Sequence, residues 1–336
     1  MHRAALQFVS MTDTYTDLIT RSTDRSPEGI CLVDRDRVWT FRDLQEASQR
    51  LATGLDKLGI KAGDRVAFWL PNIAAWLALH LACGRLGAIT VSVNTRFRSS
   101  EVGDIVVRSG ANTLILWPTF KDIPFLDILA DVPADDLASL KQVITYDEGE
   151  EAPVLPKALE DISQIRYQEI QANAPAEFDH ATKDAGSIIF TTSGTTAAPK
   201  FVLHSQASIV RHARNVAAFF GWDADNAVLL QALPLCGTFG HAQAMATLAA
   251  GRPMILLPVF SGKDAATAML EHRVTHFNGS DEMFALVLEA GEGERPYPDF
   301  VFGGYAAFNP AYADILQRAD DKGLTLCGLW GMSETQ

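Results

Sequence analysis

Arg65-Val66-Ala67-Phe68-Trp69-Leu70-Pro71 is an apolar run of strand length that stops at a proline. Ile73–Leu86 follows as a predicted helix, and Ala88-Ile89-Thr90-Val91-Ser92-Val93 is a second apolar run. Strand, helix and strand in that order make a crossover unit, which requires a parallel sheet with helices on its faces. Upstream, Val38-Trp39-Thr40 leads into a helix with Leu44, Ala47, Leu51, Leu55 and Leu58 spaced by three and four. Thr40 and Asp43 stand at capping-box spacing at its start, and Gly59 fits its end. Downstream the rhythm continues with helix Glu101–Arg108 and strands Thr113–Trp117 and Gln142–Tyr146.

The acidic stretch Asp147-Glu148-Gly149-Glu150-Glu151-Ala152-Pro153 breaks this rhythm, and no clear period returns before about residue 184. Residues 147–184 therefore read either as a connection between two lobes, about 1–146 and 185–336, or as a surface excursion inside one domain. From Ser187 the expected order is strand Ser187–Thr191, helix Ser205–Phe220, strand Ala227–Leu233, helix His241–Ala250 and strand Met254–Leu257. It continues with helix Ala265–His272, strand Thr275–Phe277, helix Glu282–Ala290, strand Phe300–Phe302, helix Tyr312–Lys322 and strand Leu324–Leu329, read as buried up to Trp330. Alternation of this length defines an α/β fold of two lobes with mostly parallel sheets flanked by helices. In such sheets ligands sit beyond the carboxyl ends of the strands.

Composition narrows the function. The 336 residues include 28 Lys+Arg and 41 Asp+Glu, a net charge of −13, with 48% hydrophobic and 21% charged residues. That is a globular chain whose acidity opposes duplex nucleic-acid binding. Any anionic substrate needs a local device to hold it against the global field. Cys31, Cys83, Cys236 and Cys327 are scattered without a C-x-x-C pair, so a reducing cytoplasm is expected, with no zinc site or disulfide framework. Charge interrupts the apolar stretches, as Arg85 does, so no membrane-spanning segment is expected. The first residues are too short and polar a run for a signal peptide, and Met11 is an alternative start.

One loop concentrates chemistry. After Ile188-Ile189-Phe190-Thr191 come Thr192-Ser193-Gly194-Thr195-Thr196-Ala197-Ala198-Pro199-Lys200. Four hydroxyls, a glycine and a lysine without an acidic side chain suit a polyphosphate, through backbone N–H groups, hydroxyl donors and a full positive charge. The same composition also makes an ordinary polar loop. Gly194 and Lys200 have the Walker spacing, but Pro199 and Phe201 stand where that motif needs glycine and a hydroxyl residue.

The loop resembles the phosphate signature of the acyl-adenylate-forming superfamily, Thr-Ser-Gly-Thr-Thr-Gly-x-Pro-Lys-Gly. It matches at Thr192, Ser193, Gly194, Thr195, Thr196, Pro199 and Lys200 and departs at Ala197 and Phe201. Gly303-Gly304-Tyr305-Ala306-Ala307 resembles the family's adenine-side segment, and Trp330-Gly331-Met332-Ser333-Glu334-Thr335 resembles its Tyr-Gly-x-Thr-Glu motif. Trp39–Leu44, Gly63–Val66 and Ser92–Arg96 are looser landmarks. The resemblance implies ATP and phosphate binding by Thr192, Ser193, Gly194, Thr195, Thr196, Lys200 and Ser333, and catalytic roles for Lys200 and Glu334. It implies Mg²⁺ on Glu334, and Gly303, Gly304, Tyr305, Trp330 and Gly331 beside the adenine. Where many relatives carry Pro-x-x-His, this chain has Pro234-Leu235-Cys236-Gly237, with His241 as a possible substitute or a surface or capping histidine. Phe239, His241 and Met245 are candidates for an acyl pocket, joined by Ala242, Ala244 and Leu248. The absence of Asp and Glu from Pro234 to Ala250 points to an uncharged acyl chain.

The implied reaction is attack of a carboxylate on ATP to give an acyl-adenylate, followed by transfer to the thiol of CoA as co-substrate. Transfer to a carrier-protein thiol, and a non-catalytic nucleotide- or acyl-binding module, are the alternatives. The family continues beyond this motif into a ribose-binding Asp, a hinge and a small domain bearing a lysine. The chain is accordingly expected to be a partial large domain, not fully active alone.

Overall fold

The computed structural model describes residues 13–121, 123–149, 153–192 and 200–335. Strands β1 (Ile30–Asp34), β2 (Arg37–Thr40), β3 (Arg65–Trp69), β4 (Ile89–Ser92), β5 (Thr113–Leu116), β6 (Gln142–Thr145) and β7 (Ser163–Arg166) lie in its first half. They are followed by β8 (Gly186–Thr191), β9 (Phe201–Ser205), β10 (Leu229–Gln231), β11 (Met254–Leu256), β12 (His276–Phe277), β13 (Gly279–Ser280), β14 (Gly303–Ala306) and β15 (Leu326–Gly328). The helices are α1 (Tyr15–Arg25), α2 (Phe41–Lys57), α3 (Ala74–Leu86), α4 (Ser99–Ser109), α5 (Phe125–Ala130) and α6 (Ala134–Leu137). They continue as α7 (Tyr167–Gln171), α8 (Gln206–Phe219), α9 (Thr238–Ala250), α10 (Gly262–Glu271), α11 (Asp281–Ala290) and α12 (Ile315–Asp321).

Three sheets result. A seven-stranded sheet runs β7-β6-β5-β3-β4-β8-β9, a five-stranded sheet runs β12-β10-β11-β1-β2, and a three-stranded sheet runs β13-β14-β15. Pairing is parallel except at the edges, where β8–β9 and β1–β2 are antiparallel. The crossover unit is as expected, with β3 and β4 parallel and registered from Arg65↔Ile89 to Phe68↔Ser92. The capping box also forms: the Thr40 hydroxyl accepts from Asp43 N at 3.1 Å and Asp43 accepts from Thr40 N at 2.8 Å.

The α3 and α9 helices lie between the two large sheets. Every residue of α3 is buried, and it has no polar face. Its Trp76 ring meets Phe68 of β3 edge-on at 5.5 Å, while its first N–H, on Ala74, donates to Asp34 of β1 at 2.8 Å. Helix α9 likewise reaches both sheets, with His241 against Phe190 of β8 and Gln243 donating to the Leu230 carbonyl of β10 at 2.7 Å. A helix touching a sheet on each side is mostly apolar all round, and the buried polar residues of these two, such as His80 and Gln243, find hydrogen-bond partners.

Several expectations are corrected. Residues 147–184 supply β7 and α7, and β7 extends the seven-stranded sheet alongside β6. Sheet membership crosses the expected division at that stretch, because β8 and β9 join the first-half sheet while β1 and β2 join β10–β12. The strand expected at Phe300–Phe302 forms three residues later at Gly303–Ala306, and the expected helix Tyr312–Lys322 shortens to Ile315–Asp321 behind a 3₁₀ turn. The strand expected to be buried before Trp330 is the exposed edge β15: Cys327 and Gly328 face solvent, and Trp330 is 85% exposed. Among the described residues β15 pairs with β14 alone.

Candidate nucleotide site at the sheet edges

Hairpin β8–β9 carries the hydroxyl-rich loop. Its base is closed by Thr192 and Lys200: Thr192 N donates to the Lys200 carbonyl at 3.0 Å, and Lys200 N donates to Thr192 Oγ1 at 3.2 Å. Ser193, Gly194, Thr195, Thr196, Ala197 and Pro199 lie outside the described residues. Lys200 is exposed and has no ion-pair partner among the described residues.

Ser333 is the point where three segments converge. Its carbonyl lies 2.7 Å from Nε2 of His204 on β9, and its hydroxyl accepts from Thr238 Oγ1, at the start of α9, at 3.3 Å. A backbone carbonyl only accepts, so His204 carries its proton on Nε2. The next residue, Glu334, is exposed at the 3₁₀ turn Ser333–Thr335 and has no ion pair among the described residues. An unpaired carboxylate is the hard oxygen donor that Mg²⁺ takes alongside substrate phosphates, so this residue fits the ion that the resemblance implies.

The glycines of the adenine-side segment have packing reasons of their own. A Cβ on Gly303 would stand 2.7 Å from the Phe284 ring, and one on Gly304 would stand 2.3 Å from Leu329 Cδ1. Leu329 N donates to the Tyr305 carbonyl at 2.7 Å, which brings the segment leading to Trp330 and Gly331 alongside Tyr305. Asn278 accepts from Gly304 N at 2.8 Å, and buried Asp281 accepts from Phe308 N and Asn309 N at 2.9 and 2.8 Å. Asn72, just after β3, bonds the Leu233 carbonyl and Leu235 N at 2.9 and 2.8 Å, tying the carboxyl ends of the two large sheets together. His204, Thr238, Asn72, Asn278 and Asp281 were not singled out from the sequence, where isolated polar residues carry no signal without their partners.

On the acid side, His241 is overturned as a surface or capping residue. It is fully buried, with Nε2 3.0 Å from Nε2 of His80 on α3, whose Nδ1 lies 2.9 Å from Thr90 Oγ1. Burial holds the His80 imidazole down to about 3 and drives His241 well below the ordinary histidine value. Met245 is fully buried in the same core and Phe239 is half-buried. Gly240 is required, because a Cβ there would meet the Pro234 carbonyl at 2.2 Å; at Gly237 the same contact is 3.5 Å and a side chain fits.

A cavity of about 500 Å³ lies elsewhere, lined by Asp34, Arg35, Trp39, Tyr146, Asp147 and Tyr167. Asp34 and Glu148 pair with Arg35 there and Asp147 with Arg166, while Arg37 lies over the Trp39 ring at 3.8 Å.

Mostly parallel sheets flanked by helices, with the β8–β9 hairpin tied through His204 to the turn at Ser333, make this an α/β fold with its candidate site at the sheet edges. The chain matches the AMP-binding enzyme family over residues 19–336 and belongs to it. It is 26% identical over 312 residues to the human medium-chain acyl-CoA ligase ACSF2, mitochondrial, covering 88% of this chain and 50% of that protein. It is 24% identical over 300 residues to the putative acyl-CoA synthetase YngI of Bacillus subtilis, covering 84% and 52%. The chain thus spans about half the length of these curated relatives. Its fold matches O-succinylbenzoate coenzyme A synthetase (MenE) of Bacillus subtilis in complex with AMP, with TM-score 0.75 and 23% identity over 94% of this chain and 74% of that one. The same enzyme has also been solved with ATP and a magnesium ion. Among the described residues, no helix is long and apolar enough to cross a membrane.

Proposed function

We propose that this chain forms the adenylate-forming part of an acid–CoA ligase. A carboxylate oxygen of the acid attacks the α-phosphorus of ATP, the bond to the bridging oxygen breaks, and pyrophosphate leaves. The thiol sulfur of CoA then attacks the acyl carbon, the bond from that carbon to the phosphate oxygen breaks, AMP leaves and the thiol proton is released. The observation that supports this reading is the junction at Ser333, which holds the strand that follows Lys200 and the turn bearing Glu334 against each other.

In this reading Lys200 and the hydroxyl loop stabilise phosphate charge, by position and electrostatics more than by covalent chemistry. Glu334 would hold Mg²⁺, which supplies charge neutralisation on the phosphates. Trp330, Tyr305 and the glycines beside them take the adenine, and the acid is apolar, fatty or similar. The four scattered cysteines, without a C-x-x-C pair, suit a reducing cytoplasm, where this reading places the chain. The test is calorimetric binding of ATP·Mg and adenosine, with pyrophosphate release measured over a panel of fatty, aromatic and amino acids. Lys200→Ala is expected to weaken ATP·Mg by about ten- to a hundredfold and to spare adenosine. Equal losses for both ligands, or release that depends only on amino acids, overturns the proposal.

A further inference from the structure

We propose that His204 is a positioning residue, which holds the backbone at Ser333 so that Glu334 and Lys200 address the same polyphosphate. The inference rests on the functional reading above and adds to it a residue outside the phosphate loop and the Trp330–Thr335 motif.

Trp330, Gly331, Met332, Glu334 and Thr335 are all exposed, and Ser333 is half-buried. Within the turn, Thr335 folds back on the Met332 carbonyl through its N–H and hydroxyl. Among the described residues, the hydrogen bonds that tie residues 330–335 to the rest of the molecule fall on Ser333, from His204 and Thr238. The turn that carries Glu334 is therefore pinned at the adjacent residue.

His204 is suited to the pin. It stands four residues beyond Lys200, on the edge strand that Lys200 leads into, its side chain is buried, and its ring meets Phe190 of β8 edge-on at 5.9 Å. The ladder pairing Ile188↔His204 and Thr191↔Phe201 makes β9 one body with the large sheet, so His204 and the base of the phosphate loop share a rigid support. A short strand next to a sheet holds position better than a loop does, which is what a two-sided polyphosphate site requires. The Thr238 hydroxyl adds a weaker second tie from α9 at 3.3 Å.

The experiment compares the wild-type chain with His204→Phe, His204→Gln and Thr238→Val by calorimetry with ATP·Mg and with AMP, alongside thermal melting. His204→Phe keeps an aromatic ring beside Phe190 and removes the donor, whereas His204→Gln restores an N–H. The expected result is about tenfold weaker ATP·Mg binding for His204→Phe with AMP affinity within about twofold. Recovery to within about threefold is expected for His204→Gln, and Thr238→Val should show a smaller loss of the same kind. A His204→Phe protein that binds ATP·Mg as well as wild type overturns the proposal, and so does one that loses AMP and ATP·Mg equally. If His204→Phe does not fold, the other two variants decide: full affinity in Thr238→Val together with a His204→Gln as weak for AMP as for ATP·Mg overturns it. A wild-type chain that binds neither nucleotide overturns the functional reading itself, which separates the two failures.

Discussion

Trp76 and Trp330 show how differently two regions of this chain use the same side chain. The first is fully buried on α3 between the large sheets; the second is 85% exposed beyond the edge strand β15. The glycines differ in parallel. Gly240 belongs to the core, where a Cβ would stand 2.2 Å from the Pro234 carbonyl, while a Cβ on Gly331 would meet nothing within 4 Å. Between the large sheets each atom has a neighbour on every side, so volume and polarity are dictated by packing. At the end of the three-stranded sheet, among the described residues, the Trp330 side chain has no such enclosure.

This contrast breaks most readily at the core tryptophan. Trp76→Ala is expected to destabilise the fold by about 3–5 kcal/mol, through lost transfer energy and the cavity left behind. Trp330→Ala should change stability by no more than about 0.5 kcal/mol. Urea unfolding of the two variants measures both, and equal shifts in midpoint would remove the distinction between the regions.

A second comparison lies within one loop. Gly240→Ala pushes a methyl group into the Pro234 carbonyl and is expected to cost about 1–3 kcal/mol. Gly237→Ala, three residues earlier, meets that carbonyl at an ordinary 3.5 Å and should be near neutral. Melting temperatures that fall equally for both would show that the close approach at Gly240 relaxes without cost.

The buried His80–His241 pair sharpens the contrast through pH. Both imidazoles stay neutral in the fold at pH values where the unfolded chain, with its ordinary histidine value of 6.5, binds protons. Stability from this pair is therefore complete above about pH 6.5 and falls as pH drops from there towards 3. Each group contributes a slope of at most about 1.4 kcal/mol per pH unit in that window. A double variant, His80→Leu with His241→Leu, removes both polar partners together and should show a shallower decline in its urea midpoint from pH 6.5 to 4. An unchanged slope would mean that the pair opens and titrates freely.

The smallest expected effect concerns the exposed edge itself. Trp330→Phe should leave stability unchanged and weaken AMP binding by about two- to fivefold, since a smaller ring stacks less surface on a base. An AMP affinity unaffected even by Trp330→Ala would remove this ring from the adenine side.

Much of the fold was legible because burial leaves its mark on local sequence. Arg65–Val93 reads correctly as strand, helix and strand, since elements covered on both faces are apolar throughout. Strand β9 was missed because it is an antiparallel edge with mixed burial, paired across a long loop, and β1 because its place inside the five-stranded sheet is set by β11, from a distant part of the chain. The Gly303–Ala306 strand was read three residues early, because glycine counts against a strand until Phe284 and Leu329 require it. At the candidate site, the spacing of Thr192 to Lys200 and of Trp330 to Thr335 carried the signal. His204 had none of its own.

The amino-acid order alone determined the α/β alternation, the helix cap at Thr40, the acidic balance of −13 and the two motifs that point to a nucleotide. These properties depend on neighbours within a few residues or on a simple sum. The tertiary structure alone decided that β8 and β9 join the first-half sheet, and that His241 faces His80 across 161 residues of chain. It also decided that Ser333 rests on His204, 129 residues away. Such pairings follow from close packing in three dimensions, where a polar group buried by one segment must find its partner on another.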